Sequence, residues 1–216
     1  MSPVQAIRTS ILPACALVAA AVAAWSQAGG RKRLYHAAKP LTMVLIIAVA
    51  ALAPAPVPAA YKIFILAGLA CSLLGDMALM FPDRWFSAGL AAFLCAQGFY
   101  ILAFKPGPGQ PVSTGLFLPF ILYGLLMFFI LAPGLGSRKL PVLVYIAAAT
   151  TMAGFAAGRF VEPGGTKRLL AFAGAALLLV SDSILAYDRF ARSFGTARIL
   201  VLGTYFPAQL LIALSV

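Results

Sequence analysis

Apolar positions run through this chain in long, unalternating stretches that short polar breaks separate. A stretch of ~20 apolar residues is long enough to cross a bilayer as an α-helix. The breaks are rich in Gly, Pro, Lys and Arg, as in GGRKR at 29–33 and EPGGTKR at 162–168. The pattern predicts eight transmembrane helices with short loops, at about 7–26, 39–53, 61–81, 85–105, 113–132, 140–158, 166–187 and 194–216.

The composition excludes a water-soluble protein. Of the 216 residues, 63% are hydrophobic and only 10% are charged, and the mean hydropathy is +1.01. A bilayer admits only helices or closed barrels, and stretches without alternation favour helices. We therefore expect an all-α, polytopic membrane protein, with residues 1–216 forming a single transmembrane domain and no soluble domain between the helices.

The amino-terminal stretch has a second interpretation. Arg8 precedes an apolar run that ends in small residues near AVAAWSQA, which is also typical of a secretory signal. Cleavage would leave seven helices. The second predicted helix is the shortest, because only a brief apolar stretch separates Pro40 from Pro54.

The formal net charge of +11 indicates contact with membrane lipids rather than nucleic acid, because the sixteen Lys and Arg residues lie in breaks between apolar stretches. The loops after helices 1, 3, 5 and 7 carry ten of them: Arg31, Lys32, Arg33, Lys39, Arg84, Arg138, Lys139, Arg189, Arg192 and Arg198. The positive-inside rule places these loops on the cytoplasmic side of a cell membrane and both termini on the opposite side.

Two carboxylates lie inside apolar stretches, Asp76 in SLLGDMALMF and Asp182 in LLLVSDSILA. A carboxylate at membrane depth is costly, so it usually faces a bundle interior or a wet cavity and marks function. Each lies five residues before the end of its predicted helix, and helices 3 and 7 run in the same direction. We expect the carboxylates at one depth, within about 5–10 Å of each other. The alternative is a neutral Asp that is hydrogen-bonded to a neighbouring helix.

Five segments in order resemble the lysoplasmalogenase-like membrane proteins of the YhhN type, over nearly the whole chain. These are KPL at 39–41, SLLGD at 72–76, FSAGLAAF at 86–93, SDSILA at 181–186 and AQLLIA at 208–213. The resemblance implies eight helices, hydrolysis of the vinyl-ether bond of lysoplasmalogens, and a catalytic pair formed by Asp76 and Asp182. One position departs from the pattern, since Gln97 stands in helix 4 where a histidine is expected before Tyr100.

Vinyl-ether hydrolysis suits two carboxyl groups. Protonation of the β-carbon gives an oxocarbenium ion, which water captures, so the reaction needs an acid and an anion rather than a strong nucleophile. An apolar environment can hold one carboxyl protonated while its neighbour stays ionised, and either Asp76 or Asp182 could be the acid. No cofactor and no metal are expected. The only histidine, His36, lies in a basic loop, and we interpret Cys15, Cys71 and Cys95 as small packing residues.

The substrate implied by the resemblance is a lysophospholipid, with its phosphate at the membrane surface and its vinyl ether several ångströms below. Lys39 is a candidate for binding the phosphate, and a lysine that merely extends to the surface is an equal alternative. Six further polar residues are candidates for lining the cavity, although interhelical hydrogen bonding also explains each of them: Gln97, Tyr100, Tyr145, Ser181, Tyr205 and Gln209.

Two other functions use paired intramembrane carboxylates. A proton-coupled transporter would use Asp76 and Asp182 as proton carriers. An intramembrane aspartyl protease would use them as a dyad, but its Gly-x-Gly-Asp motif is missing here, because Leu73 stands in the place of the first glycine.

Overall fold

The computed structural model describes residues 7–54, 57–107, 114–161 and 165–216. These residues form eight α-helices: α1 (Leu12–Ala28), α2 (Lys32–Ala51), α3 (Ala59–Leu79), α4 (Pro82–Phe104), α5 (Leu118–Leu131), α6 (Lys139–Val161), α7 (Thr166–Phe190) and α8 (Ala197–Leu214). Seven of the helical segments are long and apolar enough to cross a membrane, and α1 is a shorter apolar helix. The prediction of an all-helical, multi-pass membrane bundle is confirmed. Glu162 and most of the predicted break at 105–111 lie outside the described residues.

Contacts at the two ends of the bundle show that the helices alternate in direction. At one end, Phe86 in the first turns of α4 contacts Phe190, the last residue of α7. At the other end, Tyr61 near the start of α3 is hydrogen-bonded to Ser215, just after α8. We call the first end, where α2, α4, α6 and α8 begin, the basic side, because ten of the sixteen cationic residues belong to it.

Helix α2 begins at Lys32, seven residues before the predicted start at Lys39. The prediction was wrong because it used Pro40 as a helix start, whereas Pro40 lies inside the helix. A proline lacks only its own N–H, so the remaining bonds of a transmembrane helix can continue around it. As a result, His36 lies in the helix rather than in a loop, and its ring contacts Phe81 at a centroid distance of 6.3 Å.

The two aspartates do not lie equally far from their helix ends, contrary to the prediction. Asp76 is three residues before the end of α3, and Asp182 is eight residues before the end of α7. Helix α7 continues beyond the predicted position 187 through the polar residues Asp188 and Arg189, because helical hydrogen bonding does not stop where hydropathy falls.

Helices α3 and α4 pack closely because two glycines of α3 make room for aromatic rings of α4. A Cβ atom at Gly68 would collide with the ring of Tyr100. A Cβ atom at Gly75 would lie 2.7 Å from the ring of Phe93. Small residues allow this approach of helices in a membrane. Gly75, the residue before Asp76, therefore lets the Phe93 ring lie directly against α3.

Helix α8 is central and α5 is peripheral. Half of the residues of α8 are buried, against 11% of those in the most apolar part of the segment that contains α5. Large apolar side chains cover the outside of the bundle, among them Val18, Ile63, Leu74, Leu126 and Phe129. Cys15 and Cys95 are also exposed on this outer surface, so only Cys71 packs against the core as predicted.

Candidate active site

Asp182 accepts two hydrogen bonds on the same carboxylate oxygen. The Gln97 Nε2 atom of α4 lies 2.9 Å from Asp182 Oδ2, and the Tyr145 hydroxyl of α6 lies 2.8 Å from it. Three helices thus meet at this carboxyl. The oxygen of the same amide, Gln97 Oε1, is buried and has no hydrogen-bond partner among the described residues.

Asp76 belongs to a second group of polar side chains. Lys39 Nζ of α2 lies 3.0 Å from Asp76 Oδ1, and the Tyr205 hydroxyl of α8 donates to Oδ2 at 2.8 Å. The side chains of Lys39 and Asp76 are only 8% and 2% exposed. Two opposite charges in contact can remain ionised in the bundle interior, where a single charge would be costly.

Tyr205 and Phe93 lie between the two groups. The Tyr205 hydroxyl donates a hydrogen bond to Asp76. The Phe93 ring meets the Tyr205 ring edge-on, with centroids 5.9 Å apart and planes at 90°. Phe93 also lines a cavity that reaches Asp182. The aromatic pair therefore separates the ion pair from this cavity.

The cavity lies among α4, α5, α6 and α7, and it encloses about 730 Å³, counting the part that opens to the surroundings. Its walls are mostly apolar, and the polar groups on them are Tyr123, Tyr145, Thr150, Asp182, Ser183 and Arg189. Asp182 is partly exposed, whereas Asp76 is buried and is not among the lining residues.

Besides Tyr205, which bonds Asp76, the predicted lining residues divide into three sets. Tyr145 lines the cavity. Gln97 does not line it, but it is hydrogen-bonded to Asp182 of the cavity wall. Tyr100 donates to Gln209 Oε1 at 2.6 Å, and Gln209 in turn donates to Ser72, one turn before Asp76. Ser181 joins neither aspartate, since its hydroxyl donates to the Val201 backbone oxygen of α8.

Four polar groups of the cavity were not predicted from the sequence: Tyr123, Thr150, Ser183 and Arg189. Tyr123 of α5 donates to Ser183 at 2.7 Å, which ties the peripheral helix to α7. Arg189 lies seven residues after Asp182, two turns along the same face of α7. That spacing was visible in the sequence, but Arg189 was counted as a loop residue because the predicted helix ended at 187.

Within the described parts of the chain, no group of three or more His, Cys, Asp or Glu side chains is arranged to hold a metal ion. The polar groups of the site are two carboxyls, several hydroxyls and amides, one lysine and one arginine. Such a set can donate and accept protons and can bind an anion.

Comparison with known proteins gives a family match and several relatives. The model of the YhhN family matches residues 34–216. Lysoplasmalogenase TMEM86B of Sus scrofa is 39% identical over 153 residues, which are 68% of this chain and 61% of the relative. Its Homo sapiens counterpart is 35% identical, over 68% of this chain and 60% of the relative.

A bacterial relative matches over more of its length. The membrane protein YhhN of Escherichia coli O157:H7 is 27% identical over 177 residues, which are 82% of this chain and 84% of that protein. The match to the mammalian lysoplasmalogenases spans about three fifths of their length. No solved structure matches the chain.

Proposed function

Because the chain belongs to the YhhN family, we propose that it is a lysoplasmalogenase, which hydrolyses the vinyl-ether bond of alkenyl lysophospholipids. The products are a fatty aldehyde and glycerophosphoethanolamine or glycerophosphocholine. The observation that carries the proposal is a carboxyl, Asp182, on the wall of an apolar cavity in the membrane. A lipid chain fits such walls, and the carboxyl can deliver a proton to it.

In the proposed reaction, Asp182 is the acid. Its O–H proton is transferred to the β-carbon of the vinyl ether, and the electron pair of the double bond forms the new C–H bond. The α-carbon and the ether oxygen then share a positive charge, beside the carboxylate that Asp182 has become. Tyr145 and Gln97 both bond Oδ2, so Oδ1 is the oxygen that can carry the transferred proton.

The same carboxylate completes the reaction. A water molecule adds its oxygen to the α-carbon, and Asp182 takes one proton from that water, which restores the acid. The resulting hemiacetal separates into the aldehyde and the free hydroxyl of the glycerol backbone. One water is consumed for each bond broken. A single carboxyl can therefore serve as acid and then as base.

Asp76 has a different role in this proposal. It is held as an anion by Lys39 and oriented by Tyr205, behind the cavity wall. We assign to it a stationary charge that holds the Tyr205 hydroxyl, and Tyr205 in turn packs edge-on against Phe93 of the cavity wall. The proposal therefore gives the two aspartates unequal functions, with Asp182 in contact with substrate and Asp76 as a positioning residue.

Gln97 suits both protonation states of Asp182. As placed, its amide N–H donates to the carboxyl. Because this N–H bonds Oδ2, the contact can be kept whether Oδ1 is protonated or not. We propose that it keeps Asp182 hydrogen-bonded before and after proton transfer.

The direct test is incubation of purified protein with an alkenyl lysophospholipid and, separately, with its ester-linked counterpart. Mass spectrometry should detect free aldehyde from the first and intact lipid from the second. Hydrolysis of the ester would indicate a general lysophospholipase instead. Movement of lysolipid across a vesicle membrane without aldehyde would favour a transporter and contradict the proposal.

A further inference from the structure

Two arginines meet at one aromatic ring at the basic end of the cavity. The guanidinium carbon of Arg189 lies 4.9 Å from the ring centroid of Phe86, and that of Arg138 lies 5.8 Å from the same centroid. Arg189 is in the last turn of α7, and Arg138 is in the short 3₁₀ turn before α6. Both arginine side chains are exposed, whereas Phe86 is buried.

Arg189 also lies at a defined distance from Asp182, the proposed acid. Asp182 and Arg189 both line the cavity, and seven residues of α-helix separate them by roughly 10.5 Å along the axis. Ser183 and Ala186 lie between them on the cavity wall. The wall therefore presents a cation near the membrane surface and a carboxyl two turns deeper.

Lys39 is engaged elsewhere. Its ammonium group is ion-paired with Asp76 in the bundle interior, and its side chain is 8% exposed. Lys39, a candidate phosphate ligand from its position in the sequence, is not among the residues that line the cavity, whereas Arg189 lies on the cavity wall and Arg138 lies beside Phe86. Arginine also suits this task because its planar guanidinium can give two parallel hydrogen bonds to one phosphate.

We propose that Arg189 and Arg138 form a binding site for the phosphate of a single-chain glycerophospholipid; this inference rests on the proposed function and names the subsite that positions its substrate. In a lysoplasmalogen, seven bonds separate the phosphorus from the β-carbon, a reach of roughly 9 Å when extended. Phosphate held at Arg189 therefore places the β-carbon beside Asp182. The two arginines select which carbon of the lipid is protonated.

This arrangement recognises the phosphodiester and not the group beyond it. Ethanolamine and choline headgroups share the phosphate, so both should be accepted. A 1-alkenylglycerol, which has the same vinyl ether without phosphate, should react slowly because nothing sets its depth in the cavity. The ratio of kcat/KM between the phosphorylated lipid and the alkenylglycerol therefore measures the contribution of the site.

The experiment compares these two substrates in the wild type and in Arg189→Met, Arg138→Met and Arg189→Lys. Each Met variant should lower kcat/KM for the lysoplasmalogen by roughly 10- to 100-fold, as expected for loss of a hydrogen bond between charged groups. The alkenylglycerol rate should stay within about twofold. Arg189→Lys should recover part of the loss, because it keeps the charge without the planar geometry.

Arg192→Met is the matched control. Arg192 is an exposed arginine just after α7 on the basic side, and it is not among the residues that line the cavity. Its removal changes the surface charge by the same amount, so it should leave the substrate ratio unchanged. An equal loss in Arg192→Met would show that general surface charge, rather than a built site, attracts the lipid.

A binding measurement separates this inference from the proposed reaction. A saturated alkyl lysophospholipid cannot be hydrolysed at its ether, but it carries the same phosphate. It should raise the melting temperature of the wild type and of Arg192→Met, and have little effect on the two Met variants of the site. If this binding pattern is found but no aldehyde is released from the alkenyl lipid, the proposed lysoplasmalogenase activity is wrong and the phosphate site still stands. Equal stabilisation of all variants, or none in the wild type, would overturn the site itself.

Discussion

Lys39 and Asp76 form an ion pair between α2 and α3, with 3.0 Å between Nζ and Oδ1 and with both side chains almost fully buried. Each residue lies in a membrane-spanning helix. Neither charge is tolerable there without the other, because a lone charge loses its water and gains no counter-charge. The pair therefore links two helices and constrains how Asp76 can take part in chemistry.

Breaking this pair from one side should destabilise the bundle. Asp76→Asn leaves Lys39 buried without a counter-charge, and we expect a loss of about 3–5 kcal/mol in the free energy of unfolding. The double variant Lys39→Met with Asp76→Asn should regain most of that loss, since no charge is left. Thermal melting in detergent measures both. Additive losses in the double variant would show that the two residues do not act as a pair.

Asp182 should be required for turnover and not for folding. Asp182→Asn keeps the size and can still hydrogen-bond to Tyr145, but it has no carboxyl proton, so kcat should fall by roughly 10²–10⁴. Asp188→Asn is the matched control, because Asp188 lies on the same helix and bonds only Ser193 and the Phe194 amide among the described residues. It should keep wild-type activity.

Proton transfer to carbon also predicts a slower wild-type reaction in D₂O. If Asp182→Asn folds and releases aldehyde at the wild-type rate, the assignment of Asp182 as the acid is wrong.

Gln97 should affect catalysis more than substrate binding. Gln97→Met removes both the donor and the acceptor near Asp182, so kcat should fall by roughly tenfold, the worth of one hydrogen bond, while KM stays nearly constant. Steady-state kinetics on purified protein would measure the two constants. A change confined to KM would instead place Gln97 in contact with the lipid.

Gly75 should be essential for the packing of α3 on α4. In Gly75→Ala the new Cβ would lie 2.7 Å from the Phe93 ring, so we expect a cost of about 1–3 kcal/mol from overpacking. Gly98→Ala is the control, since a Cβ there meets nothing within 4 Å and alanine favours the helix. Adding Phe93→Leu to Gly75→Ala should restore stability. Equal melting temperatures of the two alanine variants would contradict this account.

The basic side should face the cytoplasm. Ten of the sixteen Lys and Arg residues belong to that side, and cationic loops are retained in the cytoplasm during insertion. A reporter that is active only in the cytoplasm should be silent when fused after Val216 and active when inserted at Ser137, between α5 and α6. The opposite pattern would reverse the orientation without changing the chemistry.

The sequence alone determined the membrane class, the eight helices and the two intramembrane carboxylates. Hydropathy is a local property, and a stretch of apolar residues has to become a helix in a bilayer whatever its neighbours are. An Asp between apolar turns, such as Asp76 in SLLGDMALMF, is recognisable for the same reason. The helix ends were less certain, because Pro40 and the polar end of α7 continue helices where hydropathy alone would stop them.

Only the tertiary structure decided which partners each carboxylate has. Lys39 with Asp76, and Gln97 and Tyr145 with Asp182, come from helices far apart in the chain. No periodicity within one helix encodes these pairs, because they depend on which helix faces meet and how each helix is rotated. The same packing leaves Asp182 on the cavity wall and buries Asp76 behind Phe93 and Tyr205, so two aspartates that look alike in the sequence have different surroundings in the fold.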